Sequence, residues 1–353
     1  MNKLKDEDIY LDITDEMLEH VNMLFGGRGI GKTFSVLRHR VENAHADESG
    51  RSKFIWLRDS EVVVKKIAAG NSLTSPIEDR IEGFPHVEIR KQEGNYIFAE
   101  VDTDGNITKE LGYLMALSTF HNARGINYDD VSCIVWDEFI PEDGAVIKNS
   151  NLQGTIYLNM YESVNRNREI ETEEHPAEAP VTMIFLSNTN DIFSDVIQAL
   201  GLDKIIEHMQ FNELKSFKND DIWIEFFSNK AFYDAKKDTL LYRLANNPKF
   251  TNMALDNNFN NSLALINPNA KLKDSTGLIN LDNKYVLIQL ANGDLYWKVG
   301  SHKKLQNYDM NNDQEALLFR YLFSDKLRIH YIAGNMYFDS IYTQKNVLDY
   351  AKI

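Results

Sequence analysis

The chain of 353 residues has a single cysteine, Cys133, so no disulfide can form within it. One thiol inside an apolar stretch suits a reducing cytoplasm. Clustered zinc ligands are also missing, because nine scattered histidines and one cysteine make no metal set. Positive charge is scarce: 38 Lys and Arg face 53 Asp and Glu, a formal net charge of −15. That excludes a protein coating DNA with its whole surface, but leaves room for contact through a small patch lining a ring. No apolar run reaches the roughly 20 residues of a membrane span. The start, Met1 to Asp8, runs straight into acids, which predicts no signal peptide. Hydrophobic residues still make up 43% of the chain, enough for sizeable cores, and the length predicts two domains.

Against these absences stands one dense motif. Gly26-Gly27-Arg28-Gly29-Ile30-Gly31-Lys32-Thr33 fits G-x-x-x-x-G-K-[ST], the phosphate-cradling P-loop. It follows an apolar run, Val21 to Phe25, that reads as a buried strand. It precedes Phe34 to Ala46, where Phe34, Leu37, Val41 and Ala44 recur at helical spacing. The glycines let backbone N–H groups turn toward phosphates, and the helix start adds its positive end. Lys32 is expected on the β- and γ-phosphates of ATP, and Thr33 on Mg²⁺.

A second motif depends on the first. Val131 to Trp136 is β-rich and ends in Asp137-Glu138. Alone it reads equally as a strand closing in a solvated acidic turn. Beside a P-loop it reads as a Walker B strand, with Asp137 on the metal shell and Glu138 polarising the attacking water. A second acid at this place is needed by ATP-hydrolysing motors and not in general by GTPases or small-molecule kinases.

Further strands are expected at Lys53–Arg58, His86–Arg90, Tyr96–Val101, Tyr113–Ser118 and Val181–Leu186, with a turn at Asp104-Gly105. The segments around residues 86–118 read as a β-meander inserted between core units. Ile156, Met160 and Val164 mark a helix ending near Arg166, and Ile192, Val196 and Leu200 another, stopped by Gly201. Alternating strands and helices after a P-loop imply a mainly parallel sheet covered on both faces. Arg58 reads as a strand-end arginine rather than a phosphate ligand. We expect an ATPase domain over residues 1–200, a charged linker region over 201–260 and a small α+β domain over 261–353. In the last, a hairpin turns at Asn292-Gly293, a helix spans about Asp313 to Phe323, Arg328–Ala333 and Met336–Phe338 form a second hairpin, and a final helix runs through Ile341 and Leu348.

The order of features resembles the genome-packaging ATPases of small tailed phages with protein-primed linear double-stranded DNA. The residues that carry the resemblance are Gly26 to Thr33, Ile134 to Ile140, Asn165-Arg166-Asn167-Arg168-Glu169 and Leu186-Ser187-Asn188. It implies an ASCE-type P-loop ATPase working as a homomeric ring, a pentamer, at the portal (connector) of a procapsid, driving double-stranded DNA inward, with a structural RNA as a further partner it admits. It also implies that Arg166 is the arginine finger reaching a neighbour's nucleotide, with Arg168 as the alternative. By the same resemblance Asn188 senses the γ-phosphate and Arg124 handles nucleotide. The family's C-terminal domain is RNase H-like with its nuclease chemistry lost, and residues 261–353 show no clustered carboxylates for two-metal cleavage. The basic run His302-Lys303-Lys304 reads as a solvated loop before a nucleic-acid contact. Two other classes stay open from the residues alone: a helicase or terminase with a live nuclease, and a nucleotide-gated scaffold that does not hydrolyse.

Overall fold

A computed structural model describes residues 11–123, 127–140, 152–173, 176–188, 194–212, 214–227 and 265–352, with Phe232, Asp234, Lys236, Thr239 and Leu240 between the last two stretches. The chain divides into two compact units, residues 1–260 and 261–353.

The described elements of the first unit are β1 (Val21–Gly26), α1 (Lys32–Ala46), β2 (Lys53–Arg58), α2 (Glu61–Gly70), α3 (Ser75–Glu78), β3 (Val87–Gln92), β4 (Asn95–Val101), β5 (Ile107–Ala116), β6 (Val131–Asp137), α4 (Gln153–Asn165), β7 (Thr182–Ser187), α5 (Asp195–Ala199), α6 (Asp203–Phe211), β8 (Ser216–Lys218) and β9 (Ile222–Phe227). Nine strands form one sheet in the order β3-β4-β5-β2-β6-β7-β1-β9-β8. The six central strands, from β5 to β9, are parallel, and β3, β4 and β8 add antiparallel edges. The expected meander is therefore an extension of the main sheet.

Register explains why chemistry collects at one edge. Phe25 pairs with Ser187, Asp137 with Leu186, and Leu57 with Trp136. The residues just beyond these pairs are Gly26, Asn188, Glu138 and Arg58. Parallel strands thus deliver the P-loop, both acids, Asn188 and Arg58 to the same carboxyl-end rim. Strand β7 lies between β1 and β6, so the P-loop and the acids face each other across one intervening strand.

Both faces of the central strands are buried, as expected for parallel β-structure. Period-2 alternation sends Phe54, Trp56, Cys133 and Val135 toward Val36, Leu37 and Val41 of α1. Trp136 points the other way and stacks on Tyr157 of α4 at 5.3 Å, with Phe185 completing the cluster. Trp56 and Trp136 are fully buried, so truncating either to Ala would cost about 3–5 kcal/mol.

The expected linker over 201–260 is corrected by α6, β8 and β9. Residues Ile222 to Phe227 pair with the whole of β1, and Phe226 stacks on Phe25 at 4.7 Å. The sheet needs this strand because β1, largely apolar, would otherwise be an unpaired edge.

The described elements of the second unit are β10 (Thr276–Leu281), β11 (Tyr285–Gln289), β12 (Leu295–Val299), β13 (Asn307–Tyr308), α7 (Asp313–Ile332), β14 (Met336–Phe338) and α8 (Ile341–Ala351). The α+β expectation holds: a β10-β11-β12 meander is flanked by β13 and β14, each running parallel to its neighbour. The second hairpin does not form. Residues Arg328 to Ile332 continue α7, which Asn312 caps through its side chain and which closes where Gly334 takes φ 73°. The N–H of Asn335 then bonds the His330 carbonyl at 2.9 Å, an ending that glycine permits and a strand would not use.

Candidate functional site

The P-loop bends where glycine is required: Gly29 and Gly31 adopt φ of 89° and 87°, and Gly31 caps α1. A Cβ at Gly26 would meet the tip of the Ile30 side chain, which would have to shift to admit it. Lys32 curls back over the loop. Its Nζ donates to the carbonyls of Gly26 at 2.6 Å and Gly27 at 3.2 Å, and to Asn188 Oδ1 at 3.0 Å. Burial pulls the Lys32 ammonium down to about 8, partly offset by the charges of Asp137 and Glu138.

Thr33 Oγ1 donates to Asp137 Oδ1 at 3.1 Å, which joins α1 to the end of β6. Arg58 then links both acids. Its Nη1 donates to Asp137 Oδ2 at 2.6 Å and its Nη2 pairs with Glu138 Oε2. Asn188 Nδ2 reaches Glu138 Oε1 at 3.4 Å, so all four carboxylate oxygens have a donor. Burial pushes the Asp137 carboxyl up, against the pull of the Arg58 charge. Glu138 itself stands at φ 59°, the left-handed region that side chains rarely adopt, directly after the strand.

A hydroxyl beside a carboxylate is a hard-oxygen pair suited to Mg²⁺, which keeps waters and phosphate oxygens for its remaining positions. No group of three or more His, Cys, Asp or Glu that could hold a metal exists among the described residues. The donor set therefore fits a metal brought with a nucleotide rather than a protein cage. Beside the loop opens a cavity of about 890 Å³, lined by Gly29, Gly31, Lys32, Thr33 and Asn188 and also by Leu11, Phe34, Ile81 and Arg80. The Arg80 guanidinium lies 5.7 Å over the Phe34 ring. The lining thus combines groups suited to phosphates with apolar and planar groups suited to a base.

The structure thus brings together Gly26 to Thr33, Asp137, Glu138 and Asn188. It does not bring Arg166 to them. Arg166 ends α4 at the opposite rim, where its Nη1 bonds Asn127 Oδ1 at 3.0 Å and lies 3.6 Å from Asp129. Arg168 is committed elsewhere, donating to the carbonyls of Val131 at 2.6 Å and Tyr128 at 2.9 Å. Arg124 lies outside the described residues. Arg58 is the residue that sequence reasoning placed as a strand end. Asp59 also escaped it: this carboxyl accepts from Trp136 Nε1 at 3.2 Å and Gln153 Nε2 at 3.3 Å, and burial raises it to about 6. Lys236, whose Nζ meets the Arg28 carbonyl, is a further contact to the P-loop that no local pattern announces.

Comparison with known proteins places the chain among relatives. The chain is 28% identical over 245 residues to a DNA packaging protein of Bacillus phage B103, covering 68% of this chain and 64% of that protein. It is 27% identical over 243 residues to a DNA packaging protein of Bacillus phage phi29, covering 68% of this chain and 62% of that one. The matches therefore span less than two thirds of these curated relatives. Among solved structures, the bacteriophage Phi-29 viral genome packaging motor assembly superposes with a TM-score of 0.61 at 19% identity, over 97% of this chain and 98% of that one. The Phi-28 gp11 DNA packaging motor superposes at 0.56 and 20%, over 96% and 95%. At such identities these superpositions show a shared fold. The Podovirus DNA encapsidation protein (Gp16) family matches residues 6–315, and the chain belongs to that family.

Proposed function

We propose that the chain is the ATP-hydrolysing subunit of a ring motor that moves double-stranded DNA through the portal into a procapsid. The observation that carries the reading is the meeting of Lys32, Thr33, Asp137, Glu138 and Asn188 on one sheet rim, beside a cavity of about 890 Å³. Lys32 binds the β- and γ-phosphates, whose negative charge keeps its ammonium protonated. Thr33 and Asp137 would hold Mg²⁺, which would neutralise phosphate charge. Glu138 orients and polarises the attacking water, and Asn188 reports the γ-phosphate by sitting between Lys32 and Glu138.

Arg166 is the arginine finger and acts on a neighbour's nucleotide. It sits by Asp129, ahead of β6, whereas the acids stand at the far end of β6. Six residue steps of about 3.3 Å separate the strand's ends by about 20 Å, too far for a guanidinium to reach its own subunit's phosphates. Arg168, held by two carbonyls, is a support for the start of β6. In this reading the second unit is RNase H-like without nuclease chemistry, supported by its meander with flanking parallel strands, and the pentameric ring, the portal and a structural RNA are its partners.

The test is phosphate release by assembled rings with and without double-stranded DNA. Stimulation by DNA, loss of nucleotide binding in Lys32→Ala and trapping of ATP in Glu138→Gln are the expected results. Turnover at the wild-type rate in Glu138→Gln would overturn the assignment. Negligible turnover in the wild type would favour a scaffold. Forked-duplex unwinding, or metal-dependent nicking abolished by changing an acid in residues 261–353, would favour a helicase or a live nuclease.

A further inference from the structure

The run Asn165-Arg166-Asn167-Arg168-Glu169 closes α4, and its members share out the work of one turn. Arg166 stands at φ 50° and ψ −130°, a conformation that glycine takes freely and side chains avoid. Such a backbone persists only where its surroundings hold it. Two side chains do so. Asn165, 5% exposed, accepts from the Val181 N–H and donates from Nδ2 to Glu169 Oε1, both at 2.8 Å. It thereby pins the last residue of α4 to the chain entering β7, where the Val181 carbonyl also accepts from the Tyr161 hydroxyl at 3.1 Å. Arg168 grips the carbonyls of Tyr128 and Val131, in the stretch that enters β6. Tyr128 lies between Asn127 and Asp129, the two side chains beside the Arg166 guanidinium. One clamp fixes the direction in which the Arg166 backbone sends its side chain. The other fixes the two groups that its head meets.

The Arg166 side chain is still 45% exposed, open to an anion from outside. An arginine that must find a phosphate on another molecule loses rotamer freedom on arrival, and a preset one loses less. Glycine would relieve this backbone but carries no guanidinium, so the strain marks a side chain that the turn has to present. We propose that Asn165 and Arg168 are the positioning residues of Arg166, holding it in the strained, solvent-facing pose from which it acts on a neighbour's nucleotide. The inference rests on the reading of Arg166 as the finger.

The experiment uses the full-length chain in assembled rings, with DNA-stimulated kcat, KM for ATP and melting temperature as readouts. Asn165→Ala should lower kcat by about 10²-fold with little change in KM, the scale of a misplacement by about 1 Å. Asn165→Asp combined with Glu169→Gln reverses donor and acceptor within that pair and leaves the Val181 N–H its acceptor, so it should restore most of kcat. Subunit mixing separates aim from mere support. Asn165→Ala and Arg168→Ala should each regain activity with Glu138→Gln, whose finger is sound, and regain none with Arg166→Ala, whose finger is missing. A turn that only supports its own pocket would give the reverse pattern and overturn the proposal. Arg166→Gly should melt above Arg166→Ala by about 2 °C, because glycine relieves the backbone. A melting temperature no higher would remove the strain, and the preset pose with it. Wild-type kcat in Asn165→Ala and Arg168→Ala, beside a large loss in Arg166→Ala, would overturn the positioning roles and leave the finger standing. Wild-type kcat in Arg166→Ala would bring down the finger reading and this proposal together.

Discussion

Lys32 Nζ and Asn188 Oδ1 lie 3.0 Å apart, joining the first residue of α1 to the residue that follows β7. The contact makes Asn188 more than a turn residue. Its side chain hydrogen-bonds both Lys32 and Glu138.

Asn188→Ala should therefore separate binding from turnover. Lys32 keeps its two loop carbonyls, so nucleotide affinity should change little. Glu138 loses the donor on Oε1, and turnover should fall by about tenfold or more. Single-turnover hydrolysis beside equilibrium nucleotide binding checks this, and an equal loss in both would refute it.

Lys32 makes the site pH-sensitive in two opposite directions. Its ammonium is held at about 8 by burial, below the ordinary 10.5. Between these values the unfolded chain binds more protons than the folded one, so stability of the empty protein rises with pH through that window. Nucleotide requires the charged form, so its affinity should decline above about pH 8. Calorimetry from pH 7 to 9.5, in buffers of different ionisation heat, should show proton uptake on binding. Affinity flat across that range would be inconsistent with the buried ammonium.

Arg166 and Arg168 should fail differently when changed. Arg168→Ala removes two hydrogen bonds from the start of β6 and should cost about 1–3 kcal/mol, read as a lower melting temperature. Arg166→Ala should leave the melting temperature near wild type and lower DNA-stimulated hydrolysis by about 10³-fold. Mixed with Glu138→Gln, itself inactive, it should regain activity, since each mixed interface can combine a sound pocket with a sound finger. No recovery in rings shown to contain both variants would argue against action in trans.

His39 predicts acid sensitivity away from the site. Arg40 has only protons to give, so at 2.7 Å the His39 Nδ1 must accept, which leaves the ring proton on Nε2, 3.1 Å from Asp15. Burial, and then the Arg40 charge, hold this imidazole down at about 4. The folded protein resists protonation that the unfolded chain accepts, so stability should drop as pH falls from about 6.5 toward 4 and level off below. Asp59, raised to about 6, works in the opposite sense between about pH 4 and 6. The measurement is thus a difference between melting curves of wild type and His39→Gln, and identical pH slopes would count against it.

How much of this was visible in the sequence depends on whether the information was local. The P-loop and the Asp137-Glu138 strand end were legible because their chemistry is written in consecutive residues. The role of Arg58 was not, since it follows from β2 lying next to β6, a pairing between residues about 80 apart that no local pattern encodes. Strand β9 was legible and passed over: Ile222-Trp223-Ile224-Glu225-Phe226-Phe227 is a strong strand signal inside a charged stretch. The extension of α7 through Ile332 was obscured by Gly334-Asn335, a pair that closes a helix as readily as it turns a hairpin. Arg166, with Arg168 as its alternative, was named from the sequence; that Arg168 is bonded to two carbonyls and Arg166 to Asn127 is information only the fold carries.

The place of β7 between β1 and β6 has a consequence for inheritance. Two ladder spacings of about 4.8 Å set the width of the phosphate gap at about 10 Å, and main-chain pairing, not any side chain, is the calliper. Residues 182–187 can therefore drift among apolar types without detuning the gap. A proline there would break the ladder and let the two halves of the site part company. A dimension stored in the backbone survives divergence that erases most of the sequence.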